Sequence, residues 1–166
     1  LKLGIANEKI DYDSVCFEKD SEIERGYRPT SFDFYFSTES GKKIHFEIKY
    51  TEQEFGKAKK DPEHFEKYKS VYQHHESVIN EKYCNRDSFL ENYQVMRNII
   101  NIGNDKFVVF IYPENNLKIR KQAEYAKQEF VKTEFKEKVF NITWEDLIEF
   151  IEPHIQNSKD LNAQLK

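Results

Sequence analysis

Two acids and an amine stand in this chain where they could cut a phosphodiester. Asp33 lies in Ser31-Phe32-Asp33-Phe34-Tyr35-Phe36, and Glu47 and Lys49 lie in Ile44-His45-Phe46-Glu47-Ile48-Lys49. In both segments apolar and polar residues alternate with the period of a half-buried strand, and the turn residues Ser40-Gly41-Lys42 separate them. A strand sends successive side chains to opposite faces, so pairing of the two would put Asp33, Glu47 and Lys49 on one face, away from the Phe and Ile set. Glu47 and Lys49 are then roughly 6 to 7 Å apart along the strand, a gap suited to a hydrated metal ion and a phosphate. Two carboxylates can hold Mg²⁺, which neutralises non-bridging oxygens and acidifies a bound water, while the lysine orients or deprotonates that nucleophile. This reads as a nuclease site. His45 shares the face of Glu47 and Lys49 and is a further candidate for substrate contact.

The same triplet also serves as an ordinary charge pair on the wet face of a hairpin. It occurs again at Glu134-Phe135-Lys136, where the spacing is helical and no upstream strand carries an aspartate. Spacing alone leaves both readings open.

Asp33, thirteen residues and then Glu47-Ile48-Lys49 resembles the PD-(D/E)xK nuclease superfamily, with Pro29 four residues before the aspartate rather than beside it. The wider pattern RPTSFDFYF, FEIKYTEQEFGKAK and YQVMRN is similar to a group of bacterial restriction-endonuclease-like proteins, over roughly residues 18–151. The resemblance implies a three-layer α/β/α restriction-endonuclease-like fold with a central mixed sheet. It implies a Mg²⁺-dependent DNA endonuclease, with Mn²⁺ able to substitute, that leaves 5′-phosphate ends. Asp33, Glu47 and the Ile48 backbone carbonyl would hold the metal and Lys49 would position the water. A helix before the first strand would lend a further acid, for which Glu18 and Glu22 are the candidates. Gln94 and Arg97, neighbours on a helix flank, would contact phosphate.

The elements that must position these residues follow from pattern. Asp13 to Glu24 reads as a short acidic helix, and Gly26-Tyr27-Arg28-Pro29 launches the first strand of the hairpin. Thr51-Glu52-Gln53-Glu54 reads as a capping box opening a helix to about Lys60, and Asp61-Pro62 restarts it. Glu63 to Tyr83 fits amphipathic helices. Ser88 opens another, with Phe89, Tyr93, Met96 and Ile100 as its stripe, ending near Gly103. Phe107 to Tyr112 is an apolar run that reads as a central strand covered on both faces. Leu117 to Val131 reads as a charged helix and Val139 to Ile142 as a strand. Thr143 caps a last helix whose stripe Trp144, Leu147, Ile148 and Ile151 reads as core, with a fraying tail after Pro153.

Composition bounds the function. A chain of 166 residues is expected to form one domain, residues 1–166, with 1–12 and 154–166 peripheral. A net charge of −4 argues against a nonspecific basic nucleic-acid binder, though not against a nuclease whose metal supplies local positive charge. DNA is the expected partner, a homodimer would suit cutting of both strands, and no membrane or organic cofactor is expected. Cys16 and Cys84 form no metal-like pair, and neither a membrane-length apolar run nor a signal-peptide pattern is present, so the expected compartment is the cytoplasm. A chain that begins at Leu1 is compatible with being the catalytic part of a longer protein. Two alternatives to the nuclease are a nuclease-fold module that binds nucleic acid or a partner protein without cutting, and a structural interaction domain with an accidental Glu-x-Lys.

Overall fold

The computed structural model describes residues 8–24 and 26–164, with side chains described as far as Ile155. Its strands are β1 (Ile10–Asp20), β2 (Ser31–Thr38), β3 (Lys43–Ile48), β4 (Lys106–Tyr112) and β5 (Val139–Thr143). They form one sheet in the order β1-β2-β3-β4-β5. The pairs β1–β2 and β2–β3 are antiparallel, while β3–β4 and β4–β5 are parallel. The helices are α1 (Pro62–Ser70), α2 (Arg86–Glu91), α3 (Tyr93–Ile99), α4 (Leu117–Tyr125) and α5 (Trp144–Gln164).

The continuous apolar run of β4 is explained by burial on both faces. Val108, Phe110 and Tyr112 join a core with the helical region 62–130, whereas Phe107, Val109 and Ile111 join a second core beneath Trp144 and Leu147 of α5. The fold is therefore α/β in three layers, with a mixed sheet in the middle. On β3, Ile44 and Phe46 belong to the α5-side core, so His45, Glu47 and Lys49 point to the layer that holds α1 to α4. That places the candidate site under α3 rather than under α5.

Several expectations are corrected. Residues 13–20 are not helical but continue the edge strand β1, which also takes up residues 10–12. Pairing with β2 outweighs local propensity here, with Phe17 opposite Phe34 and their ring centroids 5.2 Å apart. Thr51 to Lys60 is an irregular loop without the capped helix. The Glu52 carboxylate accepts the amides of Tyr50 and Thr51, and Glu54 pairs with Lys118 at 2.7 Å. Long-range bonds hold the loop instead, from Phe55 N–H to Gln122 and from Gly56 N–H to Gln94. Asp61-Pro62 does start α1 as expected, with the Asp61 side chain accepting from His64 N–H.

The helix expected from Ser88 to Gly103 is two helices broken at Asn92, and Asn85 rather than Ser88 caps the first. On α5, Thr143 caps as expected by accepting from Asp146 N–H. Its apolar stripe is only half core, because Ile148 is 53% exposed while Trp144 and Leu147 pack on the sheet. The helix continues through Pro153 to Gln164 rather than ending there.

Asn116 joins cap and loop. Its side chain accepts from Ile119 N–H at the start of α4, and its amide donates to the Glu52 carbonyl at 2.8 Å, tying down the loop that follows Lys49. Asn116→Ala is expected to cost about 1 kcal/mol in urea unfolding, the usual worth of an N-cap; an unchanged midpoint would mean that water replaces both bonds.

Candidate functional site

The hairpin delivers its polar residues unevenly. Phe34 and Phe36 keep the alternation and pack on Phe46, whereas Phe32 turns its ring to His45 at 4.6 Å, on the other face. The Phe32, Phe34 and Phe36 set therefore divides at Asp33. Opposite Asp33 on β1 lies Glu18, with a φ of 55° in the left-handed region, flanked by the Phe17–Phe34 and Lys19–Phe32 pairs. The β2–β3 pairing reaches Phe34 and Phe46, and beyond it the Asp33 carboxylate accepts Ile48 N–H at 2.6 Å. The N–H and C=O of a strand residue lie on the same side, so the Ile48 carbonyl is directed toward Asp33 as well.

Glu47 and Lys49 are each 4% exposed, and Lys49 Nζ donates to Glu47 Oε1 at 2.6 Å. The amine therefore lies on the same side as the carboxylate, with the Phe55 ring centroid 5.4 Å from it. Two amides from α3, one turn apart, complete the shell: Gln94 Nε2 donates to Glu47 Oε1 at 2.7 Å and Asn98 Nδ2 to Oε2 at 3.1 Å. Burial pushes the Glu47 carboxyl up, the attraction and hydrogen bond of Lys49 pull it back, and the charge of Asp33 adds to the rise. Trp144 Nε1 holds the Lys49 carbonyl at 3.0 Å from the opposite layer, which fixes the end of β3.

Beside Glu47 opens a cavity of about 450 Å³. Gln94 and Arg97 both line it, so these two candidates are brought to Glu47. Behind its wall lies Glu24, 2% exposed, which pairs with Arg97 through Nη2 at 2.7 Å and with Lys67 at 3.0 Å. It also accepts from Tyr72 Oη at 2.5 Å and from the backbone amide of Thr30. Burial alone would raise the Glu24 carboxyl, but the bonds from Thr30 and Tyr72 and the Arg97 charge outweigh it and hold the carboxyl below its ordinary value.

Neither Glu18 nor Glu22 lines the cavity: Glu18, opposite Asp33 in the β1–β2 register, is exposed, and Glu22 is exposed beside Lys43 and Lys106 at 3.7 and 3.9 Å. Glu24, passed over in the same acidic stretch, is the acid that reaches the site's wall. His45 sits inside the core between Phe32 and Tyr35, its Nδ1–H donating to the Phe107 carbonyl at 3.2 Å, and it is absent from the cavity lining. Burial pushes its pKa down to about 4, against that hydrogen bond.

A depressed imidazole pKa makes the unfolded chain the better proton acceptor below about pH 6.5. His45's contribution is complete above that value and drains as pH falls toward about 4. Urea unfolding is expected to show a loss of about 2 kcal/mol between pH 6.5 and 5, at 1.36 kcal/mol per unit. A His45→Phe variant should have a flatter profile in that window, and an unaltered slope would refute the assignment.

Asp33, Glu47 and the Ile48 carbonyl are hard oxygen donors. Among the described residues no group of three or more His, Cys, Asp or Glu side chains is placed to hold an ion. A set of two carboxylates and a carbonyl fits Mg²⁺, which takes one or two carboxylates and keeps several waters, better than it fits zinc.

A three-layer fold in which an antiparallel strand pair carries one acid on β2 and, on and just after β3, a second acid and a lysine defines a restriction-endonuclease-like protein. Residues 2–166 match the family described as Restriction Endonuclease associating with ARP, and the chain belongs to that family. No curated protein and no solved structure matches it. Among the described residues no helix is long and apolar enough to cross a membrane.

Proposed function

We propose that this chain is a Mg²⁺-dependent DNA endonuclease of the PD-(D/E)xK type, cytoplasmic, in which Mn²⁺ can substitute. The observation that carries the reading is the buried Glu47–Lys49 pair at 2.6 Å, of which Glu47 lines the open cavity while Lys49 and Asp33 lie outside its lining, with Asp33 bonded to the intervening residue. Asp33, Glu47 and the Ile48 carbonyl would hold the metal. When bound, the ion acts as a Lewis acid on the phosphate and lowers the pKa of water. Lys49 holds the attacking water in line and shares its proton, and its own position is set by Glu47 and the Phe55 ring. Gln94 and Asn98 keep the Glu47 carboxylate oriented, and Arg97 with Arg28 draws phosphate into the cavity. Supercoiled plasmid incubated with Mg²⁺ should yield nicked and linear DNA with 5′-phosphate ends, and EDTA should stop it. Intact plasmid in both Mg²⁺ and Mn²⁺ would end the reading.

A second reading is a nuclease-fold module that does not cut and binds nucleic acid or a partner protein, ARP being the associate in the family's description. Two observations favour it: the net charge of −4, and the prior engagement of both Glu47 oxygens by Lys49, Gln94 and Asn98. DNA retention without metal-stimulated nicking would support it.

A further inference from the structure

The cavity beside Glu47 is walled on three sides. The segment before β2 supplies Tyr27, Arg28 and Thr30, the first residue of β2 supplies Ser31, α1 supplies Glu63, His64 and Lys67, and α3 supplies Tyr93, Gln94 and Arg97. At about 450 Å³ it has the volume of a pocket for one small molecule rather than of a groove for a duplex. Its two kinds of lining matter for what would enter. Arg28, Lys67 and Arg97 are cations; Lys67 and Arg97 share the single carboxylate of Glu24 behind the wall, and Glu63 and Glu47 are the acids in front of it. The Arg28 side chain is exposed and has no ion pair among the described residues. Tyr27, His64 and Tyr93 are rings, each tethered at its polar end: Tyr27 Oη to Ser70 at 2.9 Å, the His64 ring to Asp61 at 2.7 Å and Tyr93 Oη to Tyr72 at 3.0 Å.

The wall is also preformed. Lys67 Nζ donates to the Arg28 carbonyl at 2.7 Å, and Arg97 approaches the same carbonyl at 3.4 Å, so the backbone that bears Arg28 is clamped from α1 and from α3. A duplex bound through its backbone needs many phosphate contacts along a basic face, and a chain of net charge −4 has little to spare for them. Rings beside cations in a walled pocket suit another mode, in which a base stacks and its phosphate is held, irrespective of base identity.

Building on the nuclease reading, we propose that the cavity binds one unpaired nucleotide, with its phosphate toward Arg28 and its base against Tyr27 and His64. The substrate would then reach Glu47 and Lys49 as single-stranded DNA, either by a strand end or by an internal nucleotide out of the stack.

The test is calorimetry of the whole chain with a deoxynucleoside 5′-monophosphate, using Ca²⁺ in place of Mg²⁺ so that binding is read without cleavage. One saturable site is expected, weakened about tenfold by Arg28→Ala and by Tyr27→Ala, the order of one lost stacking or charge contact. Both residues lie on an exposed segment, Tyr27 being 37% exposed, and circular dichroism checks that each variant stays folded. A short single strand should bind more tightly than a duplex of the same length. Preference for a 5′-phosphorylated over a 5′-hydroxyl strand points to the strand end as source, and equal binding to the internal nucleotide. The proposal is overturned if neither substitution weakens the monophosphate, if inorganic phosphate binds as well as the nucleotide, or if duplex binds as well as single strand. Plasmid cleavage is scored separately in Mg²⁺. Nucleotide binding without cleavage removes the nuclease reading alone, and cleavage without nucleotide binding removes this proposal alone.

Discussion

Asp33→Asn and Lys49→Met are each expected to lower Mg²⁺-dependent cleavage by about 10³-fold or more while leaving the chain folded. The magnitude follows from the role proposed for them: a Lewis-acid metal contributes several kcal/mol to the barrier, and each 1.36 kcal/mol is tenfold in rate. The replacements are chosen from the contacts. Asparagine keeps an oxygen to accept Ile48 N–H, now bonded at 2.6 Å, but gives up the charge that would hold the ion. Methionine keeps an unbranched stem beside Phe55 and removes only the amine. Losing Lys49 does strand Glu47 in a buried place, so its carboxyl will take up a proton more readily and the variant's stability must be followed alongside its activity. An ordinary charge pair would behave otherwise: cleavage unchanged in both variants, with stability altered only in Lys49→Met. That pattern would return Glu47 and Lys49 to a structural role.

The parts of the fold that were legible are those where burial imposes a short repeat on the sequence. Phe34, Phe36, Ile44 and Phe46 alternate because one face of β2 and β3 packs under α5, and β4 is apolar throughout because both its faces are covered. Gln94 and Arg97 could be set beside Glu47 because a helix flank next to an apolar stripe has few places to point. Asn98 was missed, although it stands four residues after Gln94 on the same flank and donates to the same carboxylate. Asp13 to Glu24 reads as a helix because one side of the edge strand that takes up residues 13–20 meets solvent and tolerates charge. The acids at 18, 20, 22 and 24 recur with period two, a strand spacing, but the strand itself ends at Asp20. The loop 51–60 and the Glu24 contacts lay outside any local pattern. Arg97 is 73 residues from Glu24, and no spacing rule reaches that far.

Glu24→Ala is expected to destabilise the chain by about 3–5 kcal/mol, the cost of removing one partner from a buried ion network. Its carboxylate holds Lys67, itself 8% exposed, together with Arg97, and the substitution leaves both cations without their counter-charge. Against a total stability of about 5–15 kcal/mol, that is enough to bring the variant near unfolding at ordinary temperature. A milder pair keeps the idea testable. Glu24→Gln preserves shape and an acceptor, and combining it with Lys67→Met removes one of the stranded charges, so the double variant should melt higher than Glu24→Gln alone. The acid profile supplies the independent check. Because the folded carboxyl is held below its ordinary value, near 4.5, the stabilisation is complete above that pH and is lost as pH falls through the depressed folded value. Wild type should therefore lose stability in that lower window, beneath the one governed by His45, and Glu24→Gln should not share that component. If Glu24→Gln unfolds in acid as wild type does and melts within a degree or two of it, Lys67 and Arg97 are held by something other than this carboxylate. The cavity wall would then owe its shape to the packing of α1 on the segment before β2.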